Sequence, residues 1–212
     1  PWRLPGGSRL LGGLGGEAPP GPLRILAALG RFRITIQTSR PTEELAGLPC
    51  QVEIASEYRY RNPAIQKNSL FITISQSGET ADTLAALRLA KERDFLATLT
   101  LCNVPTSATV RESDIAMMLN AGTEVGVAST KSFVAQTTAL LLFTLLLARQ
   151  RGLKPGLEEE IVGQLHELPG TIAELLKLDE SIAKVAEVFA DKGHALYLGR
   201  GSFYPIAMEG AL

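Results

Sequence analysis

Short apolar runs alternate with an amphipathic stretch in the middle of the chain. Residues 69–74 and 96–101 are nearly continuous apolar runs with β-branched side chains, which is typical of strands buried in a parallel sheet. Residues 115–119 form a third, shorter run. Between the first two runs, residues 81–93 carry leucines among charged residues at helical spacing. This alternation of strands and helices predicts an α/β fold built on a parallel sheet.

The stretch from residue 130 to residue 150 is the longest apolar pattern in the chain. A membrane-spanning helix needs about 20 predominantly apolar residues. Here Gln136, Thr137 and Thr138 interrupt the pattern early, and Arg149 closes it. We therefore predict a long helix buried in a protein core rather than one that crosses a membrane.

Amphipathic patterns continue beyond residue 153 and predict a helical connector, which we place at residues 154–185. Because proline and glycine punctuate regular structure, Pro169 and Gly170 divide this pattern into two predicted helices, residues 157–168 and residues 172–178. A further helical pattern begins at residue 181 and ends at residue 189.

A new strand is predicted at residues 194–198, followed by a small polar loop and a helix that begins near Pro205. The order of strand, loop and helix found at residues 69–93 therefore recurs. We interpret residues 186–212 as the beginning of a second α/β unit, and residues 41–153 as the first.

The first forty residues have a different composition. Glycine and proline crowd residues 1–30, and we predict an irregular segment over residues 1–40. Residues 31–37 show strand-like alternation, and residues 52–55 form another short strand candidate. Arginine occurs without lysine in residues 1–40, as in a GC-rich gene that is read out of frame. One hypothesis for this segment is therefore a frameshift, which translation of the other frames would test.

Composition narrows the class of protein. Of the 212 residues, 45% are hydrophobic and 20% are charged, which suits a folded globular chain. The net charge of −1 gives no electrostatic footprint for nucleic acid. Two cysteines are too few for a disulfide framework, and two histidines cannot build a histidine-rich metal site. We expect no metal, no cofactor and a cytoplasmic location.

The first predicted strand runs into the loop Ser75-Gln76-Ser77-Gly78-Glu79-Thr80, which opens a helix. The N–H groups and the positive dipole end of that helix attract an anion, and the hydroxyls of Ser75, Ser77 and Thr80 add donors. The loop has neither the lysine of a Walker A motif nor the glycine pattern of a dinucleotide site. The pattern predicts a site for a phosphate monoester, with ordinary helix capping by a hydroxyl as the alternative.

A second loop of small residues, 122–130, follows the third predicted strand. In an open α/β sheet the loops at the carboxyl ends of the strands meet at the ligand crevice, so this loop is placed to face the same ligand. A plain connector, in which Ser129 or Thr130 caps the next helix, fits the pattern equally well.

Residues 43–212 contain seven motifs whose order and spacing, taken together, match a known family. They are Glu-Leu-Ala-Gly-Leu-Pro-Cys (44–50), Glu-Ile-Ala-Ser-Glu-Tyr-Arg-Tyr-Arg (53–61), Ser-Gln-Ser-Gly-Glu-Thr-Ala-Asp-Thr (75–83), Cys-Asn-Val-Pro (102–105), Arg-Glu-Ser-Asp (111–114), Ala-Gly-Thr-Glu-Val-Gly-Val-Ala-Ser-Thr-Lys (121–131) and Leu-Gly-Arg-Gly (198–201). As a set they resemble the isomerase part of the glutamine–fructose-6-phosphate aminotransferase (isomerising) family, also called glucosamine-6-phosphate synthase. The loop at 75–83 alone resembles many sugar isomerase (SIS) domains.

The resemblance implies two tandem SIS domains, each a three-layer arrangement of a parallel sheet between helices, and a homodimer for the complete enzyme. It also implies an enzyme that converts fructose 6-phosphate and glutamine into glucosamine 6-phosphate and glutamate. On this resemblance Ser75, Gln76, Ser77 and Thr80 bind the sugar phosphate. Val127, with Ser129 nearby, lines the sugar. No nucleic acid and no membrane is implied as a partner.

Three departures from the family pattern bear on activity. Residues 1–40 do not match, and the Cys-Gly-Thr-Ser loop expected in the first SIS domain does not occur in the sequence. The family's glutaminase domain has no counterpart here. The family's catalytic lysine, glutamate and histidine lie beyond Leu212, so no catalytic residue is assigned to this chain. We expect sugar-phosphate binding without turnover; the competing hypothesis is a non-catalytic SIS module that senses sugar phosphates.

Overall fold

The computed structural model describes residues 33–125 and 130–211. The chain divides into two compact units, with the boundary between Gly152 and Leu153. Of the segment 1–40 predicted to be irregular, residues 1–32 lie outside the described residues, and residues 33–40 are helical. The domain boundaries inferred from the sequence stay a prediction.

The first unit is an α/β domain in which helices flank a parallel sheet, as predicted. In chain order its described elements are α1 (Arg33–Ala46), α2 (Ala55–Tyr58), β1 (Leu70–Ser75), α3 (Ala81–Lys91), β2 (Ala97–Cys102), α4 (Ala108–Glu112), β3 (Ile115–Met118) and α5 (Thr130–Gln150). The three predicted strands and the helices α3 and α5 are confirmed, with boundaries that differ by no more than two residues.

The sheet has the strand order β1-β2-β3, and both pairs of strands are parallel. Leu70 pairs with Ala97 and Ser75 with Cys102, so β1 and β2 end level with each other. Every residue of β1 and β2 is buried, which explains why their sequences are continuous apolar runs rather than alternating ones. The carboxyl ends of all three strands therefore lie at one edge of the sheet.

An aromatic cluster and small residues form the core on one side of the sheet. Phe71 of β1 packs against Tyr58 and Phe95, with ring centroids 5.4 Å and 5.2 Å away. Ala86 and Ala90 of α3 are fully buried in the same cluster. Small residues at these helical positions allow α3 to lie close to the strands, which fixes where its first turn meets the end of β1.

Helix α5 packs against α1, and the hydroxyls of Thr42 and Thr144 lie 3.0 Å apart between them. By length and composition α5 is the one described helix apolar enough to cross a membrane, and 44% of its most apolar stretch is buried. Leu140 and Ala148, eight residues apart on one face, have no exposed surface. This packing agrees with the predicted core helix.

Two of the predicted strands near the amino terminus are wrong. Residues 33–37 lie in α1, where Thr42 and Ala46, one turn apart, are both buried; a seven-residue alternation is too short to exclude a helix. Residues 52–54 have no regular structure and α2 begins at Ala55. The carboxylate of Glu53 instead accepts hydrogen bonds from the side chains of Gln51 and Arg61, which hold this segment without a strand partner.

The second unit contains α6 (Leu157–Leu176), α7 (Asp179–Phe189), a short 3₁₀ helix (Gly201–Phe203) and α8 (Tyr204–Gly210). The predicted break at Pro169 is wrong, because α6 continues through it. A proline removes one backbone donor, and the hydrogen bonds of the following residues can still continue the helix. The strand predicted at residues 194–198 is not formed, since no described residue of this unit pairs with it. Helix α8 begins near Pro205, as predicted.

Candidate anion site at the carboxyl ends of the strands

The loop between β1 and α3, residues 75–80, is defined here as the first loop. Its backbone turns at Gly78, which has φ +69°. The N–H of Gly78 donates to Ser75 Oγ at 2.9 Å, and the N–H of Glu79 donates to Ser77 Oγ at 3.3 Å. A hydroxyl that accepts a hydrogen bond keeps its own proton for donation. Ser75 and Ser77 are thus held in place by the loop and still carry a donor each.

Thr80 occupies the N-cap position of α3 with an extended backbone, φ −66° and ψ 121°, but its side chain makes no capping hydrogen bond. Helix capping therefore does not account for its hydroxyl. Helix α3 has eleven residues, and the N–H groups of its first turn lie directly after the loop. The positive end of a helix dipole and free hydroxyl donors are groups that attract anions, and both occur at this point of the fold.

The first loop is supported from the segment that follows β2. Asn103 N donates to Gln76 O at 3.2 Å, and Thr109 N donates to Gly78 O at 3.1 Å. Ala108 N donates to the Glu79 carboxylate at 2.7 Å, so Glu79 caps the start of α4. The loop is therefore fixed at three successive points by a neighbouring segment that belongs to the same edge of the sheet.

Cys102 lies at the end of β2 and is fully buried beneath this arrangement. Its sulfur lies 3.6 Å from Gln76 O and 3.3 Å from Ser107 Oγ. These contacts are those of a small, buried core residue rather than of a nucleophile.

The second loop, residues 119–129, follows β3, and the structure describes it as far as Val125. The side chain of Asn103 accepts from Ala121 N at 2.8 Å and donates to Gly122 O at 2.7 Å. At its far end, the carboxylate of Glu124 accepts from Ser132 N at 3.1 Å and from Ser132 Oγ at 2.7 Å. Glu124 thus caps the first turn of α5. Val127 and Ser129, both predicted to line the sugar, lie outside the described residues.

Ser75, Gln76, Ser77 and Thr80 lie on one loop, which Asn103 connects to the described part of the second loop. Across residues 33–125 and 130–211, no group of three or more histidine, cysteine, aspartate or glutamate side chains is placed to hold a metal ion. Sequence reasoning missed Asn103 and Glu79. The available signal for Asn103 was its position directly after a buried strand, where polar side chains face the ligand edge.

Comparisons with known proteins give a consistent result. The family model described as "SIS domain" matches residues 39–146. The glutamine–fructose-6-phosphate aminotransferases (isomerising) of Escherichia coli K12 and Salmonella typhimurium are each 59% identical to the chain over 170 residues. That alignment covers 80% of this chain and 28% of each relative, so the chain spans less than a third of those enzymes.

Two solved structures share the fold. The C-terminal domain of glucosamine-fructose-6-phosphate aminotransferase from Francisella tularensis superposes with a TM-score of 0.86 and 45% identity, over 89% of this chain and 54% of that one. Glucosamine-6-phosphate deaminase from Thermotoga maritima superposes with a TM-score of 0.72 and 21% identity, over 89% and 56% of the two chains. The second likeness concerns the fold alone.

Proposed function

The chain belongs to the SIS domain family, and we propose that it is part of a glutamine–fructose-6-phosphate aminotransferase (isomerising) in which it binds the phosphate of fructose 6-phosphate. The observation that carries this proposal is the first loop, where oriented hydroxyls meet the start of α3 at the carboxyl end of a buried strand. The 59% identity to relatives named for this activity supports fructose 6-phosphate as the ligand.

We assign phosphate binding to Ser75, Gln76, Ser77 and Thr80. Ser75 is buried at the strand end, while Ser77 and Gln76 are half-buried and Thr80 is exposed, so the four residues line a path from the sheet edge to solvent. All four side chains are uncharged. Neutral donors balance a phosphate's charge only partly, which suits a substrate that must leave after reaction. Val127 and Ser129 are assigned to the sugar on the resemblance to the family.

The reaction of the complete enzyme transfers nitrogen from glutamine to the sugar and then isomerises the product. The second step moves a proton between two neighbouring carbons and needs a general base. We assign no such base to this chain, whose part is to hold and orient the phosphate end of the sugar. For the complete enzyme we propose a homodimer located in the cytoplasm.

Calorimetric titration with fructose 6-phosphate tests the binding assignment. We expect saturable binding by the 212-residue chain and none with fructose, which lacks the phosphate. Ser77→Ala and Thr80→Val each remove one hydroxyl donor to a charged ligand and are expected to weaken binding about 10-fold or more. Thr171→Val, at an exposed threonine of α6, is the matched control and should leave the affinity unchanged. The absence of heat at millimolar ligand would refute the proposal.

An ammonia-dependent synthesis assay tests the assignment of catalysis. We expect no glucosamine 6-phosphate to form when the chain is mixed with fructose 6-phosphate and an ammonium salt. Sustained turnover in proportion to the chain's concentration would show that it holds a proton-transfer group after all. The same preparation must first pass the calorimetric test, so that inactivity is not confused with misfolding.

A further inference from the structure

We propose that Asn103 is a positioning residue that sets the spacing between the first loop and the second loop. The inference rests on the proposed function, because it assigns the first loop to the phosphate of a sugar phosphate and the second loop to its sugar. Asn103 itself need not touch the ligand. Its role is to hold residues 119–125, the described part of the second loop, in a fixed position relative to the first loop.

The geometry around Asn103 connects three strand ends. Its backbone N–H donates to Gln76 O at 3.2 Å, which joins the end of β2 to the first loop. Its side-chain amide accepts from Ala121 N at 2.8 Å and donates to Gly122 O at 2.7 Å, which joins the same residue to the second loop. Since β2 is the central strand of the described sheet, a residue at its end lies between the ends of the other two strands.

The chemistry of the side chain suits this task. A primary amide presents one acceptor and one donor side by side, which matches a backbone N–H and the next residue's carbonyl. Aspartate has the same size but offers no donor, and its charge would repel the carbonyl of Gly122. Alanine offers neither bond. The second loop turns sharply here, with φ +52° at Asn120 and φ +71° at Gly122, and the two hydrogen bonds hold the peptide between these turns.

The two loops make different demands on a ligand, and this makes the role measurable. Inorganic phosphate needs the first loop alone, whose backbone bond from Asn103 survives any substitution of the side chain. Fructose 6-phosphate needs both loops at a fixed separation. A substitution at Asn103 should therefore weaken sugar-phosphate binding far more than phosphate binding, whereas a general loss of folding would weaken both equally.

The experiment compares Asn103→Ala and Asn103→Asp with the wild-type chain, and uses Asn62→Ala, at an exposed loop asparagine, as the matched control. Hydrogen exchange without ligand is measured first. In both variants we expect exchange in residues 119–125 to rise about 10-fold or more, because one or both side-chain bonds are lost. Exchange in β1 and β2 should match that of the wild type, and Asn62→Ala should change neither region.

Calorimetry then compares the affinities for fructose 6-phosphate and inorganic phosphate. We expect both Asn103 variants to lose about 10-fold or more for the sugar phosphate and less than about 3-fold for inorganic phosphate. Equal losses for the two ligands, or a loss in the alanine variant but not in the aspartate variant, would overturn the inference. Unchanged exchange in residues 119–125 would overturn it whether or not a ligand binds. A wild-type chain that binds neither ligand would refute the proposed function, and the exchange measurement still shows separately whether Asn103 holds the second loop.

Discussion

Replacement of Gly78 by alanine is the most direct test of how the first loop is built. Gly78 has φ +69°, a conformation that costs an L-residue about 1–2 kcal/mol. A Cβ atom at this position would lie 2.2 Å from Ser107 Oγ, 2.5 Å from Ser107 Cβ and 2.6 Å from Thr109 Oγ1. These are contacts that no rotamer change of the new residue can relieve, because an alanine side chain has none.

The backbone must therefore shift, and overpacking of this kind costs about 1–3 kcal/mol. The strain and the clash together predict a loss of about 2–5 kcal/mol in the free energy of unfolding for Gly78→Ala. Urea titration followed by circular dichroism measures this quantity. Because the shift moves Ser77 and Gln76, we also expect fructose 6-phosphate binding to fall below detection under conditions where the variant is still folded.

Gly47→Ala is the matched control. Gly47 follows α1 with φ +60°, and nothing lies within 4 Å of a Cβ built there. This variant should lose only the strain of about 1–2 kcal/mol and should keep its affinity for the ligand. A Gly78→Ala variant no less stable than Gly47→Ala would contradict this expectation, since the clash of the added Cβ with Ser107 and Thr109 would then have no energetic cost.

Three further contacts can each be tested by substitution. Thr73 and Thr100 pair across β1 and β2, and their buried hydroxyls lie 2.9 Å apart. Either Thr→Val change alone leaves one hydroxyl unpaired and should lower the free energy of unfolding, measured by urea titration, by about 1–3 kcal/mol. The double change leaves no unpaired hydroxyl and should be nearly neutral. Glu79→Ala should cost about 1 kcal/mol by removing the cap of α4, whereas Glu79→Gln, which keeps an acceptor oxygen, should cost less than half of that. Two hydrogen bonds from Arg88 hold the pKa of Glu112 below its ordinary value of 4.5, so the Arg88–Glu112 pair stabilises the fold above that pH. The difference in unfolding free energy between the wild type and Glu112→Gln should therefore shrink as the pH falls below 4.5. A difference that is independent of pH would contradict this.

The sheet could be predicted from the sequence because its signal is local. Each of the first two strands is a six-residue buried run, and because both faces of such a strand are buried, its consecutive residues are apolar. The first loop could be predicted for the same reason, since its three hydroxyls lie within six consecutive residues. Helix α1 could not, because its identity depends on packing against α5, which lies about a hundred residues further along the chain.

Other features depended on tertiary structure in the same way. Pro169 is a strong local signal for a helix break, yet α6 continues through it because the turns on either side keep their helical backbone hydrogen bonds. The hydrogen bonds of Asn103 to both loops follow from the central position of β2 in the sheet, and the sequence of a strand does not predict its position in the strand order. A sequence therefore predicts what a residue is able to bond with more readily than which segments it will reach.

The order of the strands also has a consequence for synthesis on the ribosome. Thr73 and Thr100, which pair across β1 and β2, are 27 residues apart in the chain, and Thr98 is bonded to Asp114, 16 residues further on. Contacts this close in sequence close small loops at little entropic cost, so the sheet can assemble while later residues are still being translated. The contact between Thr42 and Thr144 closes a loop of 102 residues. The buried face of α1 must therefore stay uncovered until α5 has emerged, and exposed apolar surface of this kind favours aggregation of a nascent chain.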